Sequence, residues 1–425
     1  MSSPQPTPQG SHVTSTSSLW KIFAYRDFTL LWASGLFMNL AMSLRTLVSA
    51  QWLYDTTGSA VQLGILGFIQ LLQMPLALYG GTLADKIDRK KLMAGTQIVS
   101  FGSLLWLTIL AAAGSLAPWH IFAVTGIAGI VQMLGSAARP AMVPRVVPRG
   151  LLVHAVSVQT ATMQIASIVA PIIFWWMFES FGVAASFGVS TAIAALSVVS
   201  PVIISASGRP EGTMLKRTTV SALKEGFGFV MGHQLLPGLY LLDIGVTVVS
   251  FYRQLFPIFA DQLYGMGASG TGMLNTANSV GAILGTMLVF YTGRFARKGL
   301  LVIVCSGVYA VLLIAFGLVH YLPLGLLIVA GLGLTDAVSM TMRQAIVQLT
   351  TPDKLLGRTS SAHTFAAQGA NNVGQVEVGF LSAIIGAGAT MVIGGFVSIG
   401  VVGAIWFLMP GLRKYRYEPT TGPPE

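Results

Sequence analysis

Five ionisable side chains interrupt the apolar runs of this sequence: Arg45, Asp243, Arg253, Asp336 and Glu377. Charged residues make up only 9% of the 425, so each of the five stands out from its surroundings. A carboxyl group in low dielectric takes up or releases a proton as its environment changes, which makes Asp243, Asp336 and Glu377 candidates for carrying protons. A packed ion pair or a solvated helix end is the competing reading for each, and Asp243 lies nearest the end of its segment. The two guanidinium groups suit another task. Arg45 and Arg253 form a cationic pair that attracts an anionic substrate or grips the carboxylates Asp55 and Asp261; alternatively, each arginine reaches the surface along its aliphatic stem. His363 precedes Glu377 on nearly the same helix face but about 21 Å away along the axis, too far for a direct partner.

Neutral polar groups accompany the charges. Asn39, Gln70, Gln73, Asn275 and Asn278 sit in apolar runs, and Gln368, Asn371, Asn372 and Gln375 recur at helical spacing. Such amides hydrogen-bond a substrate or join neighbouring helices. Met38 and Met42 flank Asn39 and offer an adaptable apolar surface, or simple packing. Other chemistry is missing. The single Cys305 excludes an internal disulfide and a cysteine metal site. The six histidines are scattered, with no His-x-x-x-His spacing and no phosphate-binding glycine loop. Neither an enzyme nor an ATP-driven pump is expected, and no cofactor or metal.

The elements that must position these groups are membrane helices. The chain is 54% hydrophobic, and a soluble domain carries about 25% charged residues, so lipid is the expected solvent. At about 20 apolar residues per crossing, the runs give twelve spans. Six lie at 27–54, 59–81, 90–113, 118–142, 151–178 and 183–206, and six more at 236–263, 269–292, 299–319, 322–347, 355–385 and 389–410. The expected organisation is a disordered tail over 1–19, a six-helix bundle over 20–206, a loop over 207–235, a second bundle over 236–412 and a tail over 413–425. All but two of the 24 Lys and Arg then fall on one face, in the tails, the central loop and the loops after spans 2, 4, 8 and 10. The exceptions are Arg45 and Arg253. This segregation places both termini in the cytoplasm and accounts for the net charge of +10 without a nucleic-acid partner.

The halves repeat. An offset of 208 superimposes Arg45 on Arg253, Gly64 on Gly272, Arg89 on Arg297 and Lys90 on Lys298; an offset of 204 superimposes Arg139 on Arg343 and Pro148 on Pro352. Two parallel six-helix bundles follow, as in many transporters.

Between spans 2 and 3 the chain reads Gly81-Thr82-Leu83-Ala84-Asp85-Lys86-Ile87-Asp88-Arg89-Lys90-Lys91-Leu92, which resembles the loop signature of the major facilitator superfamily. Tyr25-Arg26-Asp27-Phe28, Trp52-Leu53-Tyr54 and Ala138-Arg139-Pro140-Ala141-Met142-Val143-Pro144 resemble its transmembrane secretion effector, or enterobactin exporter, branch. The resemblance implies that spans 1, 4, 7 and 10 line a cavity and spans 2, 5, 8 and 11 join the halves; all five ionisable residues within spans fall in these two groups. It implies a gating latch of Gly81, Asp85, Arg89, Lys90 and Arg139, with Asp85 facing the amino end of span 11, where a helix dipole favours negative charge. In the second half Gly293 stands in place of the Asp.

The reading is an all-α membrane protein of the major facilitator fold, a monomer in the cytoplasmic membrane that moves a small molecule by alternating access. Proton-coupled efflux of an amphiphilic compound, drug-like or siderophore-like, is the first expectation. Uptake of a nutrient or organic anion is the second, and a receptor that binds without transport is a remote third.

Overall fold

The computed structural model describes residues 21–76, 79, 83, 86–209, 219–292 and 297–416. The expected disordered tail over 1–19, Gly81 and Asp85 of the expected latch, and residues 417–425 of the last tail lie outside them.

Helices run up and down through the chain. In the first half they are α1 (Arg26–Thr57), α2 (Ala60–Gln73), α3 (Arg89–Ala112), α4 (Pro118–Gly135), α5 (Ala138–Val146) and α6 (Leu152–Ile203). A connecting helix α7 (Thr219–Gly232) follows. The second half has α8 (Leu236–Val248), α9 (Gly267–Thr292), α10 (Lys298–Leu318), α11 (Leu322–Thr350), α12 (Asp353–Ile385), α13 (Ala387–Leu408) and the short α14 (Pro410–Lys414). At 1.5 Å per residue, the 32 residues of α1 reach about 48 Å, beyond a hydrocarbon core of about 30 Å. Gly58 ends α1 in the left-handed region (φ 60°) with its N–H on the Tyr54 carbonyl, a conformation that costs glycine no side-chain clash. Expected spans 5 and 6 are one helical run bent at Gly182, whose φ of 77° and ψ of −174° only glycine adopts freely.

Among the described residues, eight helical stretches are long and apolar enough to cross a bilayer, and one of these, His154–Ile203, contains the Gly182 bend and so two expected spans. The remaining three expected spans correspond to α2, α9 and α12. These pack between the halves, α2 against α12 and α9 against α6. A helix shielded from lipid by a partner tolerates small and polar residues, which fits the lower apolar content of α9 and α12; α2 is apolar but short, with its 3₁₀ extension ending at Leu76.

Span 7 departs from the expectation of one continuous helix. Helix α8 stops at Val248 and is followed by a 3₁₀ turn (Tyr252–Leu255), one α turn (Phe256–Ile258) and a π turn (Phe259–Leu263). Side chains hold the break. Ser250 Oγ donates to the Val246 carbonyl at 2.6 Å, Tyr309 Oη to the Ser250 carbonyl at 3.2 Å, and Gln254 Nε2 to the Leu63 carbonyl of α2 at 2.6 Å. Backbone freed from helical bonding is thus satisfied inside the protein, as a membrane interior requires.

The apolar cores show how the halves meet. At the end opposite the termini one core runs through both halves, with Val48, Leu53 and Tyr54 of the first packed among Phe256, Phe259 and Leu274 of the second. At the end carrying the termini the cores are separate. One contains only first-half residues, including Phe28, Met93 and Met142, and the other only second-half residues, including Leu239, Ile303 and Ile346.

Candidate functional site

Between the separated cores lies a cavity of about 800 Å³. Its walls are α1 (Arg45, Thr46), α2 with its 3₁₀ extension (Gln70, Gln73, Met74), α4 and the turn after it (Thr125 to Ser136), α12 (Ser360 to Asn372) and Leu223 of α7. Among the described residues Arg45 is its one charged lining group, and its Nε is buried without a hydrogen-bond partner. A guanidinium N–H beside a cavity takes its acceptor from water or from a ligand. Gln70, Gln132, Gln368 and Asn372 bring amides, and Met74, Met133 and Phe365 bring adaptable apolar surface. The arrangement suits an anion that carries hydrogen-bonding groups on an apolar frame.

The cavity closes where α2 crosses α12. A Cβ on Gly64 would stand 3.3 Å from Gly379 Cα, so the two backbones touch there. Beyond that crossing a belt of hydrogen bonds joins the halves. Thr271 Oγ1 of α9 donates to Gln51 Oε1 of α1 at 2.6 Å, Tyr54 Oη donates to Asp261 Oδ2 at 3.4 Å, and Gln262 Nε2 donates to Tyr54 Oη at 3.1 Å. Glu179, at the Gly182 bend, accepts from Trp175 Nε1 at 3.0 Å and from the backbone N–H of Ser269 at 2.9 Å. A carboxylate of one half thereby caps the amino end of a helix in the other. Among the described residues the molecule is shut at this end and open at the end where the described chain begins and finishes.

Two sequence expectations need correction. Arg45 and Arg253 do not share the cavity. The break after α8 turns Arg253 away from the position that the repeat gives Arg45, leaving it exposed with its guanidinium 5.4 Å from the Phe251 ring. Nor do the arginines grip Asp55 and Asp261: Asp55 accepts from Gln51 Nε2 at 2.8 Å, and Asp261 is held by Tyr54. The other correction concerns Arg139 and Arg343, which the charge segregation assigns to loops after spans 4 and 10. Both lie inside helices, α5 and α11.

Arg343 makes a buried ion pair. Its Nη2 is 2.9 Å from Asp243 Oδ1 of α8, with the side chains 9% and 7% exposed. Thr247 donates to the same carboxylate at 3.4 Å, Arg343 Nη1 donates to Ser339 Oγ at 3.1 Å, and His363 of α12 stacks near Tyr240 at 5.1 Å within electrostatic reach of both charges. Three helices of the second half therefore meet at one charge pair. Asp336, two turns before Arg343, lies within the field of Arg343, Arg253 and Asp243; it is deep in the protein yet presents accessible surface. Glu377 is half-buried, its Oε2 has no hydrogen-bond partner among the described residues, and it does not line the cavity.

The first half carries the same arginine in different company. Arg139 Nη1 donates to the Leu31 carbonyl at 3.1 Å and Nη2 to Ser34 Oγ at 3.3 Å, and its guanidinium fills the space over Gly35. Gly35 stands at the 208-residue offset from Asp243, so the repeat has an acid on one side only. Of the other latch residues, Arg89 Nη1 donates to the Ala141 carbonyl at 3.2 Å and Lys90 Nζ to the Ile204 carbonyl. These bonds, like those of Arg139, stay within the first half.

The expected amide wall is partly assembled. Gln70, Gln368 and Asn372 line the cavity, and so does Gln73, although its Nε2 is also bonded to the Gly126 carbonyl at 3.1 Å. Asn39 and Asn371 are half-buried away from it. Asn275 bonds its own helix at the Thr271 carbonyl, Asn278 bonds Tyr252 Oη, and Gln375 is buried against Gly67 of α2. The belt residues Gln51, Tyr54 and Thr271 and the lining residues Gln132, Ser136 and Phe365 were not singled out by sequence, because neither charge nor spacing marks them. For Arg343 the signal was present in the repeat.

The comparisons agree with this architecture. The family model for transmembrane secretion effectors matches residues 17–418. Enterobactin exporter EntS of Citrobacter koseri is 27% identical over 367 residues, covering 85% of this chain and 84% of the relative. EntS of Shigella boydii is 26% identical over 406 residues, covering 94% and 93%. Among solved structures, a bacterial homolog of the human lysosomal transporter Spinster, described as inward-facing and unoccupied, superimposes with a TM-score of 0.68 at 14% identity over 96% of this chain and 100% of that one. A point mutant of the nucleoside transporter NupG gives 0.71 at 12% over 89% and 99%. With helices, cavity and family model in accord, the chain belongs to the transmembrane secretion effector family of the major facilitator superfamily and is a multi-pass membrane transporter.

Proposed function

We propose that the protein exports an anionic amphiphile from the cytoplasm across the inner membrane, using protons to drive alternating access. The observation that carries this reading is the cavity at the end bearing the termini, in which Arg45 is the one charged group of the described lining, set among amides, methionines and a phenylalanine. Positive charge flanks that end in the sequence, so the cavity faces the cytoplasm by the positive-inside rule. The similarity to enterobactin exporters favours a siderophore-like cargo and outward movement over uptake. Arg253, on which an anion-uptake pathway would depend, stands outside the cavity.

In this cycle the substrate enters beside Arg45 and Gln70 and neutralises the guanidinium. The halves then rock about the α2–α12 crossing, the belt at Gln51, Tyr54 and Glu179 parts, and the latch of Arg89, Lys90 and Arg139 engages the second half. Proton movement acts in the second half, where Asp336 and Asp243 are the leading carboxylates and Glu377 the third. A proton on Asp243 would release Arg343 from its pair and loosen the meeting point of α8, α11 and α12. The working unit is the monomer.

Inverted and right-side-out vesicles supplied with an external catecholate siderophore, under an imposed pH gradient, test this reading. Accumulation in inverted vesicles that collapses with the gradient is the expected result. Gradient-driven accumulation only in right-side-out vesicles would establish uptake instead.

A further inference from the structure

At the end carrying the termini, a second cavity of about 320 Å³ opens between α10 and α13, lined by Arg297, Leu300, Trp406, Arg413, Lys414 and Arg416. Four of the six are cations. Arg413 places its guanidinium over the Trp406 ring at 5.2 Å. Among the described residues the ion pairs are Asp243–Arg343 and Arg358–Glu225, so no carboxylate within the described chain neutralises this group.

The equivalent corner of the first half is built differently. There Lys90 donates to the Ile204 carbonyl as the chain leaves α6, just as Gly299 lies against the Leu412 carbonyl in the second half. In the first half the following residues are Ser205-Ala206-Ser207-Gly208. Asp27 accepts from the N–H groups of Ser205 and Ala206, Asp88 accepts from Lys90 N, and Arg145 is spent on the carbonyls of Ser207 and Arg209. The corner is filled by its own chain and supplied with acids. In the second half the residues after Leu412 are Arg413-Lys414-Tyr415-Arg416, and the corner holds a cation-lined cavity.

We propose that this cavity binds the phosphate of an anionic membrane lipid. The shared chemistry is a phosphate monoanion or diester, and the surroundings select the lipid as its source. Phe407 and Leu408, beside Trp406 on α13, are 79% and 77% exposed, and Val304 and Val308 of α10 are 50% and 46% exposed. Acyl chains have an apolar surface to lie against directly next to the cations, and a tryptophan stands at the boundary where such rings collect. Clustered cations at a cytoplasmic helix end attract anionic headgroups. A lipid bound here would brace α10, α13 and α14, the outer helices of the half that contains the Asp243–Arg343 pair.

Native mass spectrometry of the full chain, released from nanodiscs of mixed phosphatidylcholine and phosphatidylglycerol, tests the site, with Arg413→Gln, Lys414→Gln, Arg416→Gln as the variant. Wild type should retain phosphatidylglycerol in preference to phosphatidylcholine. Removing the cations should weaken retention roughly fivefold per charge, on the order of a hundredfold for all three. The charge-keeping variant Arg413→Lys, Arg416→Lys should retain the lipid, which separates lost charge from a damaged fold. Equal retention of the two lipids by wild type, or unchanged retention by the glutamine variant, would overturn the proposal. So would equal stabilisation by inorganic phosphate in pure phosphatidylcholine, which would assign the cations to a soluble anion.

Discussion

The two halves place an arginine at repeat-related positions and satisfy it in opposite ways. In the second half Arg343 meets the carboxylate of Asp243, 2.9 Å away and shielded from solvent. In the first half Arg139 lies over Gly35 and is met by the Leu31 carbonyl and the Ser34 hydroxyl. Neutral acceptors hold a guanidinium in one geometry at any physiological pH, whereas a carboxylate can lose its charge to a proton and let go. The same asymmetry runs through the first helix of each half. Helix α1 is unbroken through Arg45, and its counterpart breaks before Arg253. In the proposed cycle the first half would serve as a fixed wall for substrate, and the second as the part that responds.

Breaking the pair should have the largest effect. Asp243→Ala leaves a buried guanidinium unmatched and should cost about 3–5 kcal/mol, read as a fall in thermal stability of the purified protein. The double variant Asp243→Leu, Arg343→Met should recover most of that stability, because an apolar pair of similar volume is often neutral, yet remain unable to use a pH gradient. Gradient-driven transport by that double variant would remove the pair from coupling.

Next comes the first-half site. Gly35→Leu forces Arg139 from its acceptors and overpacks the space it fills, at about 1–3 kcal/mol, with gradient dependence unchanged in whatever protein folds. Gly35→Asp should instead give Arg139 the carboxylate that the second half already has, and its transport should acquire a second pH-dependent phase. A single, unaltered pH profile would mean that the halves differ for reasons other than this acid.

The smallest effect is expected at the closed end. Glu179→Gln weakens the cap on α9, worth about 1 kcal/mol, and should make a cysteine placed at the buried Ala268 of α9 more reactive to a membrane-impermeant thiol reagent from the outside. Labelling equal to that of the parent would show that the belt at Gln51 and Tyr54 holds the end shut without Glu179.

Much of the fold was legible because apolar runs and charge segregation are one-dimensional signals. Even the short α2 and the less apolar α9 and α12 could be found by run length between charged loops. Arg45 and Gln70 were legible as cavity residues because a polar side chain inside a span requires a purpose. The break after α8 was not, since Ser250, Tyr309 and Gln254 hold it through contacts from three different helices, and with it went the expected symmetry of the arginines. The Asp243–Arg343 pair was half legible. The repeat singled out Arg343, but assigning it to a loop hid its partner. Glu179 carries no local sign of its role, which depends on a helix start 90 residues away, Ser269.

The central claim is that Arg45 makes the open cavity a site for anions. Equilibrium binding of two catechol-bearing amphiphiles of matched size, one anionic and one cationic, to wild type and Arg45→Gln tests it most directly. Tighter binding of the anion by wild type, lost by tenfold or more in the variant (about 1.4 kcal/mol), is the predicted result. Equal binding of both ligands by both proteins would contradict the account and make Arg45 a structural residue.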